Sequence, residues 1–153
     1  MWFSRKQADQ LPKPGSAAIA APVSKQVTTK SRGDVAEAAA QAWLGKVGLR
    51  WVESNYRTPV RGGGEIDLIM RAPDGTLVFV EVRQRASASH GGAGASIGSA
   101  KQRRIIFAAR HYLMRFASPP PCRFDVVLIH GALSGAQGPQ AEIEWLPAAF
   151  DAS

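Results

Sequence analysis

Hydrophobic and polar residues follow one another along this chain in blocks that have the lengths of ordinary strands and helices. Two apolar runs, residues 66–70 and 77–82, flank a segment containing proline, aspartate and glycine, residues 72–76. Short apolar runs joined by such residues predict a β-hairpin. A further run at residues 49–57 predicts a strand before it, so this part of the chain should form an antiparallel meander.

Two segments have the composition and periodicity of helices. Residues 33–46 are rich in strong helix formers, with Asp34 as a candidate cap and Gly45 or Gly48 as the end. Residues 96–116 place apolar side chains on one wide face and basic side chains around the remainder, and three prolines then end the helix.

The apolar run after this second helix, residues 123–130, predicts a buried strand. A strand, a crossover helix and another strand form a unit whose two strands are parallel. The predicted fold class is therefore α/β: a mixed β-sheet, made of an antiparallel meander plus one parallel strand, flanked by helices. Residues 86–95 predict a mobile loop that could close over a substrate, and residues 141–145 a short edge strand.

The charge is unevenly distributed along the chain. The net charge is +7, but residues 1–32 carry six basic side chains against one acid, which leaves only +2 for the rest. We expect residues 1–31 to be a disordered basic tail or linker and residues 32–150 to be the folded domain. Net charge alone therefore says little about a nucleic-acid partner.

Cysteine content and hydropathy narrow the class of protein. The single cysteine excludes an intramolecular disulfide, and no Cys/His spacing predicts a zinc site. No stretch has the length and hydrophobicity of a membrane span. We expect a cytoplasmic protein without a membrane partner.

Each run of the hairpin carries one acid, Asp67 and Glu81. If the loop is residues 72–76, these acids oppose each other on one face, where like charges are destabilising and require compensation. A two-residue turn at Asp74-Gly75 would instead oppose Asp67 to Val82 and send the acids to opposite faces. In the first register the acids predict a site for Mg²⁺ or Mn²⁺, which take carboxylates together with water and phosphate oxygens.

Basic residues near the acids could bind the phosphates of a phosphodiester substrate. Arg83 lies two residues after Glu81 and should project from the same face, where its guanidinium could clamp a phosphate. Lys101 and Arg104 follow on the second helix. Together with Arg57 and Arg85 they are the residues expected to contact nucleic acid. The acid of the last buried strand, Asp125, is expected to pair with an arginine of the helix.

The residues now described carry a resemblance. Asp67 followed by Glu81-Val82-Arg83 resembles the D…(D/E)-x-K signature of the restriction-endonuclease-like nuclease superfamily. The order Glu37, Asn55-Tyr56-Arg57, GEIDLI, VFVEVR, Lys101 and RFD resembles the YraN-like family of small bacterial endonuclease-like proteins over residues 32–150.

The resemblance implies a restriction-endonuclease-like fold, similar to that of Holliday-junction resolvases. It implies Mg²⁺-dependent hydrolysis of DNA, on branched or damaged structures, with Asp67 and Glu81 as metal ligands. Arg83 and Glu37 would complete the catalytic residues, Glu37 as the helix acid. Resolvase-like activity would also require a homodimer.

Two positions depart from the family pattern. Arg83 stands where the superfamily has lysine, and Ala36 replaces the glycine usual before the helix acid. Arginine and lysine are not interchangeable at a bidentate site. A non-catalytic nucleic-acid-binding module, and an adaptor whose Asp67, Glu81 and Arg83 form a salt-bridged patch, are therefore alternative hypotheses.

Overall fold

The computed structural model describes residues 29–85, 97–131, 133 and 141–152. Two helices and five strands follow one another in these ranges: α1 (Thr29–Lys46), β1 (Arg50–Arg57), β2 (Glu65–Arg71), β3 (Leu77–Arg85), α2 (Ser99–Leu113), β4 (Cys122–His130) and β5 (Glu142–Phe150). None of the helices in this part of the chain is long and apolar enough to cross a membrane.

The strands form one sheet in the order β1-β2-β3-β4-β5. Strand β3 runs parallel to β4, and every other neighbouring pair is antiparallel. The predicted α/β class with a mixed sheet, one parallel strand being reached through the crossover helix α2, is confirmed.

The register of the β2–β3 hairpin is the one that brings the two acids together. Leu68 pairs with Val80 and Ile69 with Phe79. The pair nearest the turn, Arg71 with Leu77, leaves residues 72–76 as the loop. The amide of Ala72 donates to the carbonyl of Thr76 across 2.9 Å, which closes that loop. The alternative prediction, a two-residue turn at Asp74-Gly75, is wrong.

Within the described residues, each face of the sheet carries one helix. Helix α1 buries Ala36, Ala40 and Leu44 against a cluster of strand residues: Leu68, Met70, Val78, Val80, Val127 and Ile129. Helix α2 buries Ile105, Ala108 and Tyr112 against residues of the opposite face: Ile69, Leu77, Phe79, Phe124, Val126 and Leu128. The central strands are apolar on both faces because both faces are covered.

Several predicted boundaries move in the structure. Helix α1 begins at Thr29 instead of residue 33, so residues 29–31 are helical and do not belong to a tail. Strand β5 extends to Phe150 through Pro147, which an edge strand tolerates because it pairs on one side only. Residues 1–28 of the predicted tail at 1–31, and the predicted loop at 86–95, lie outside the described residues.

The expectation for Asp125 is wrong. This fully buried carboxylate accepts hydrogen bonds from the Arg123 side chain at 3.1 Å, the Trp145 indole at 3.0 Å and the Ala148 amide at 2.9 Å. None of these partners is on a helix. The β4–β5 pairing is irregular next to Asp125, which frees the Ala148 amide to donate to the carboxylate. Asp125 therefore ties β5 to β4.

Candidate metal and nucleic-acid site

Asp67 lies where the alternation of side chains along β2 is interrupted. Ile66 and Ile69 both belong to the cluster under α2, whereas Leu68 belongs to the cluster under α1. Strict alternation would place Ile66 and Leu68 on one face. The irregularity sets the Asp67 carboxylate between the two faces, and the backbone N–H of Val82 donates to its Oδ2 across 2.9 Å. This bond fixes Asp67 against the neighbouring strand.

Glu81 is the buried member of the acid pair, with only 7% of its surface exposed. It follows Val80, which pairs with Leu68 of β2, and it interacts with Asp67, the residue before Leu68. Its Oε1 lies 3.5 Å from Nζ of Lys101 on α2, while Oε2 is buried without a hydrogen-bond partner among the described residues. Burial, and then the charge of Asp67, raise the pKa of Glu81 to about 8, although Lys101 opposes the shift.

Glu37 reaches the same acids from the other side of the sheet. It lies in α1, close enough to Asp67 in β2 and to the side chain of Asn55 in β1 for both to affect its pKa. Partial burial, and then the charge of Asp67, raise the pKa of Glu37 to about 7. Asn55 has a φ of 53°, a left-handed conformation that asparagine tolerates better than most residues. That conformation accompanies its contact with Glu37.

The three acids form a row with Asp67 in the middle. In the described ranges, no three or more His, Cys, Asp or Glu side chains converge as a ready set of metal ligands. The donors that fit a metal are the Asp67 and Glu81 carboxylates, since Glu81 Oε2 has no other polar partner there. Hard cations such as Mg²⁺ commonly use one or two carboxylates and complete their shell with water and phosphate oxygens.

Arg83 follows Glu81 on β3, with a half-buried side chain. Its partner in the parallel ladder is Leu128, whose side chain belongs to the face covered by α2. Directly paired residues share a face of a sheet. Arg83 therefore lies on the face of Glu81, as its spacing predicts.

A groove of about 300 Å³ opens beside the acid pair, between the β1–β2 loop and the first turns of α2. Basic side chains, a glycine run and a few other residues line it: Arg57, Thr58, Val60, Gly62, Gly63, Gly64, Glu65, Lys101 and Arg104. A Cβ on Gly64 would lie 1.8 Å from the Arg104 carbonyl oxygen, so only glycine permits this approach. The glycine holds the loop against α2 and so forms the groove.

The structure thus assembles most of the predicted site residues. Glu37, Asp67, Glu81 and Lys101 lie together, and Lys101 also borders the groove with Arg57 and Arg104. Arg83 and Arg85 do not line the groove: Arg83 follows Glu81 on the same face of β3, and Arg85 lies farther along β3 opposite His130.

Two features of the site were missed from the sequence. The contact of Asn55 with Glu37 accompanies the left-handed backbone conformation of Asn55, which no local sequence pattern predicts. Lys101 was expected to contact phosphate, and its pairing with Glu81 was not anticipated. The one sequence feature that indicates the Lys101–Glu81 pairing is that the basic helix follows the acid-bearing strand closely in sequence.

Comparison with known proteins identifies the family. The profile of "Uncharacterised protein family UPF0102" matches residues 36–129. The chain belongs to UPF0102. Relatives described as UPF0102 proteins include one from Polaromonas naphthalenivorans, 78% identical over 153 residues and covering all of both chains. Another, from Albidiferax ferrireducens, is 65% identical over 125 residues, covering 82% of this chain and 91% of its own.

The UPF0102 match confirms the YraN-like resemblance at the level of family. The matched region runs from α1 to β4. It therefore contains Glu37, Asp67, Glu81 and Lys101, so the whole acid row and its lysine lie within the part of the chain that defines the family.

Proposed function

We propose that this UPF0102 chain is a Mg²⁺- or Mn²⁺-dependent endonuclease that hydrolyses DNA phosphodiester bonds. The observation that carries the proposal is the pairing of Asp67 with buried Glu81 beside a groove lined by basic residues. Like charges held together in a buried place destabilise a fold unless something offsets them. A divalent cation offsets both charges at once, and it can bind phosphate oxygens at the positions that the carboxylates leave open.

The acid pair would hold the ion through the carboxylates of Asp67 and Glu81. When bound, such an ion lowers the pKa of a ligated water and polarises a phosphate. Glu37 lies close enough to Asp67 to interact with it and would help the Val82 amide to orient the Asp67 carboxylate. Arg83 contacts the scissile phosphate from the same face of β3, and it remains protonated because a guanidinium does not titrate in proteins.

The groove would hold the nucleic-acid backbone next to the scissile bond. Arg57, Lys101 and Arg104 line it and can bind phosphates without regard to sequence. Arg85, which lies farther along β3 opposite His130, is the further residue that we propose to contact DNA. The resemblance to Holliday-junction resolvases supports membership of the restriction-endonuclease-like superfamily. It also supports branched or damaged DNA in the cytoplasm as the substrate and a homodimer as the active form.

A non-catalytic nucleic-acid-binding module is the second candidate, and Arg83 favours it. A lysine at this position can orient a water, whereas a planar guanidinium binds phosphate as a fixed fork. A chain with this substitution could retain the groove and lose efficient cleavage.

A cleavage assay separates the two candidates. Branched, nicked and single-stranded DNA of matched sequence are incubated with wild type, Asp67→Ala or Arg83→Lys in Mg²⁺, Mn²⁺ or EDTA. Cleavage by wild type only with metal, and none by Asp67→Ala, is the expected result. Binding by wild type without cleavage, with cleavage appearing in Arg83→Lys, would refute the endonuclease proposal for this chain and support the binding module.

A further inference from the structure

We propose that Lys101 competes with the divalent cation for Glu81 and, once displaced, binds a phosphate in the adjacent groove. Cation binding and nucleic-acid binding would then strengthen each other through one side chain. This inference rests on the proposed function, because it takes Asp67 and Glu81 as the cation site.

Lys101 belongs to two places at once. Its Nζ lies 3.5 Å from Oε1 of Glu81, and its side chain also lines the groove that Arg57 and Arg104 border. No other residue in the described part of the chain both forms an ion pair with Glu81 and lines this groove. A movement of the Lys101 ammonium away from Glu81 therefore need not leave the groove.

The ion pair has the features of an exchangeable contact. A charge-assisted N–H···O bond is normally about 2.7–2.9 Å long, so 3.5 Å is a loose fit. The Lys101 side chain is 39% exposed, whereas that of Glu81 is only 8% exposed. A lysine stem is flexible and its head is well hydrated, so its ammonium can leave without a large desolvation cost. The buried carboxylate, in contrast, stays where it is.

Electrostatics makes the competition direct. Lys101 already lowers the affinity of Glu81 for a proton. By the same repulsion it must lower the affinity of that carboxylate for any other cation. A divalent cation on Glu81 would in turn repel the ammonium at close range. The groove then offers the ammonium a phosphate, beside Arg104 and an Arg57 that is itself paired with Glu65 at 3.2 Å.

Thermodynamic linkage makes the coupling reciprocal. If the cation releases Lys101 for phosphate, then phosphate in the groove must raise the affinity for the cation by the same factor. A purely structural Glu81–Lys101 pair would have no such effect. The two cases therefore differ in what removal of Lys101 does to cation affinity.

Calorimetric titration with Ca²⁺, without DNA, measures the first consequence. Lys101→Ala should bind Ca²⁺ about three- to tenfold more tightly than wild type, the range expected for removing one close, half-screened charge. Arg104→Ala is the matched control, because it lines the same groove without pairing with Glu81. Its Ca²⁺ affinity should equal that of wild type. Lys101→Arg, which keeps the charge, should also remain near wild type.

Fluorescence anisotropy with a labelled branched DNA, in EDTA or in Ca²⁺, measures the second consequence. Both alanine variants should bind DNA more weakly than wild type. The factor by which Ca²⁺ strengthens DNA binding should fall at least about threefold in Lys101→Ala and stay unchanged in Arg104→Ala.

The outcomes separate this inference from the proposed function. Unchanged or weaker Ca²⁺ binding by Lys101→Ala, or an equal gain in Arg104→Ala, would overturn the inference while metal-dependent cleavage by wild type still stood. Absence of Ca²⁺ and Mn²⁺ binding by wild type would overturn both. Circular dichroism checks that each variant is folded, and Lys101→Gln replaces the alanine variant if it is not.

Discussion

Replacing Glu81 by glutamine should stabilise the metal-free protein, and the gain should grow as the pH rises. Glu81 is buried, and its pKa is raised from 4.5 to about 8, first by burial and then by the charge of Asp67. A carboxyl whose pKa is higher in the folded state contributes stability below its unfolded pKa, and loses it as the pH rises through the folded pKa. Glutamine has nearly the same shape and does not titrate.

The size of the effect follows from the shift in pKa. Each tenfold change in proton affinity is worth about 1.4 kcal/mol, so ionising Glu81 in the fold costs at most about 5 kcal/mol. The pKa of about 8 already includes the opposing attraction of Lys101, so the loss of that ion pair in the variant is not deducted a second time. We therefore expect Glu81→Gln to exceed wild type in free energy of unfolding by about 2–4 kcal/mol at pH 8, and by little at pH 5.

Urea unfolding in EDTA at pH 5, 6.5 and 8 measures this difference. Glu53→Gln is the control, because Glu53 forms an exposed ion pair with Arg115 and is not among the groups that shift the pKa of Glu37 or Glu81, so it should show no comparable trend. A difference that stays flat with pH, or a Glu81→Gln variant less stable than wild type at pH 8, would refute the argument. With Ca²⁺ added, only wild type should gain stability, because the variant lacks one carboxylate.

Four further substitutions test other parts of the structure. Glu37→Gln should also stabilise the metal-free protein between pH 5 and 8, but by less than Glu81→Gln because Glu37 is more exposed; the same urea series compares them. Gly64→Ala should lower the free energy of unfolding by about 1–3 kcal/mol, because its methyl group meets the Arg104 carbonyl. Gly33→Ala, in open space on α1, should instead raise it by about 0.5–1 kcal/mol, and equal effects of the two would contradict the close approach. Asp125→Ala should cost about 3–5 kcal/mol in thermal unfolding, because it leaves Arg123 and the Trp145 and Ala148 donors without their acceptor, and a loss under 1 kcal/mol would disprove that role.

The sequence narrowed the hairpin to two registers because its constraints are local. Two apolar runs and the residues between them allow either a loop at residues 72–76, which opposes Asp67 to Glu81, or a two-residue turn, and the observed pairing is that of the first. The parallel β3–β4 pair followed from the strand–helix–strand order. These features depend on residues close in sequence and on rules of chain connection.

The remaining features depend on how distant elements meet. The contact of Lys101 with Glu81 requires α2 to sit at one height on the sheet, which the approach of Gly64 to Arg104 helps to fix. Asp125 was assigned to a helix arginine because α2 is rich in them, whereas the irregular pairing of β5 supplied nearer donors. Neither the irregular β4–β5 pairing nor the left-handed conformation of Asn55 has a sequence pattern that predicts it.

Cleavage at saturating DNA by wild type and Asp67→Asn, in Mn²⁺, is the most direct test of the central claim. Both proteins should bind the DNA, since Asp67 lies outside the groove that holds the backbone. Only wild type should cut it, and EDTA should abolish the cutting. Equal cleavage by Asp67→Asn, or cleavage by wild type that persists in EDTA, would contradict a metal-dependent site built on Asp67 and Glu81.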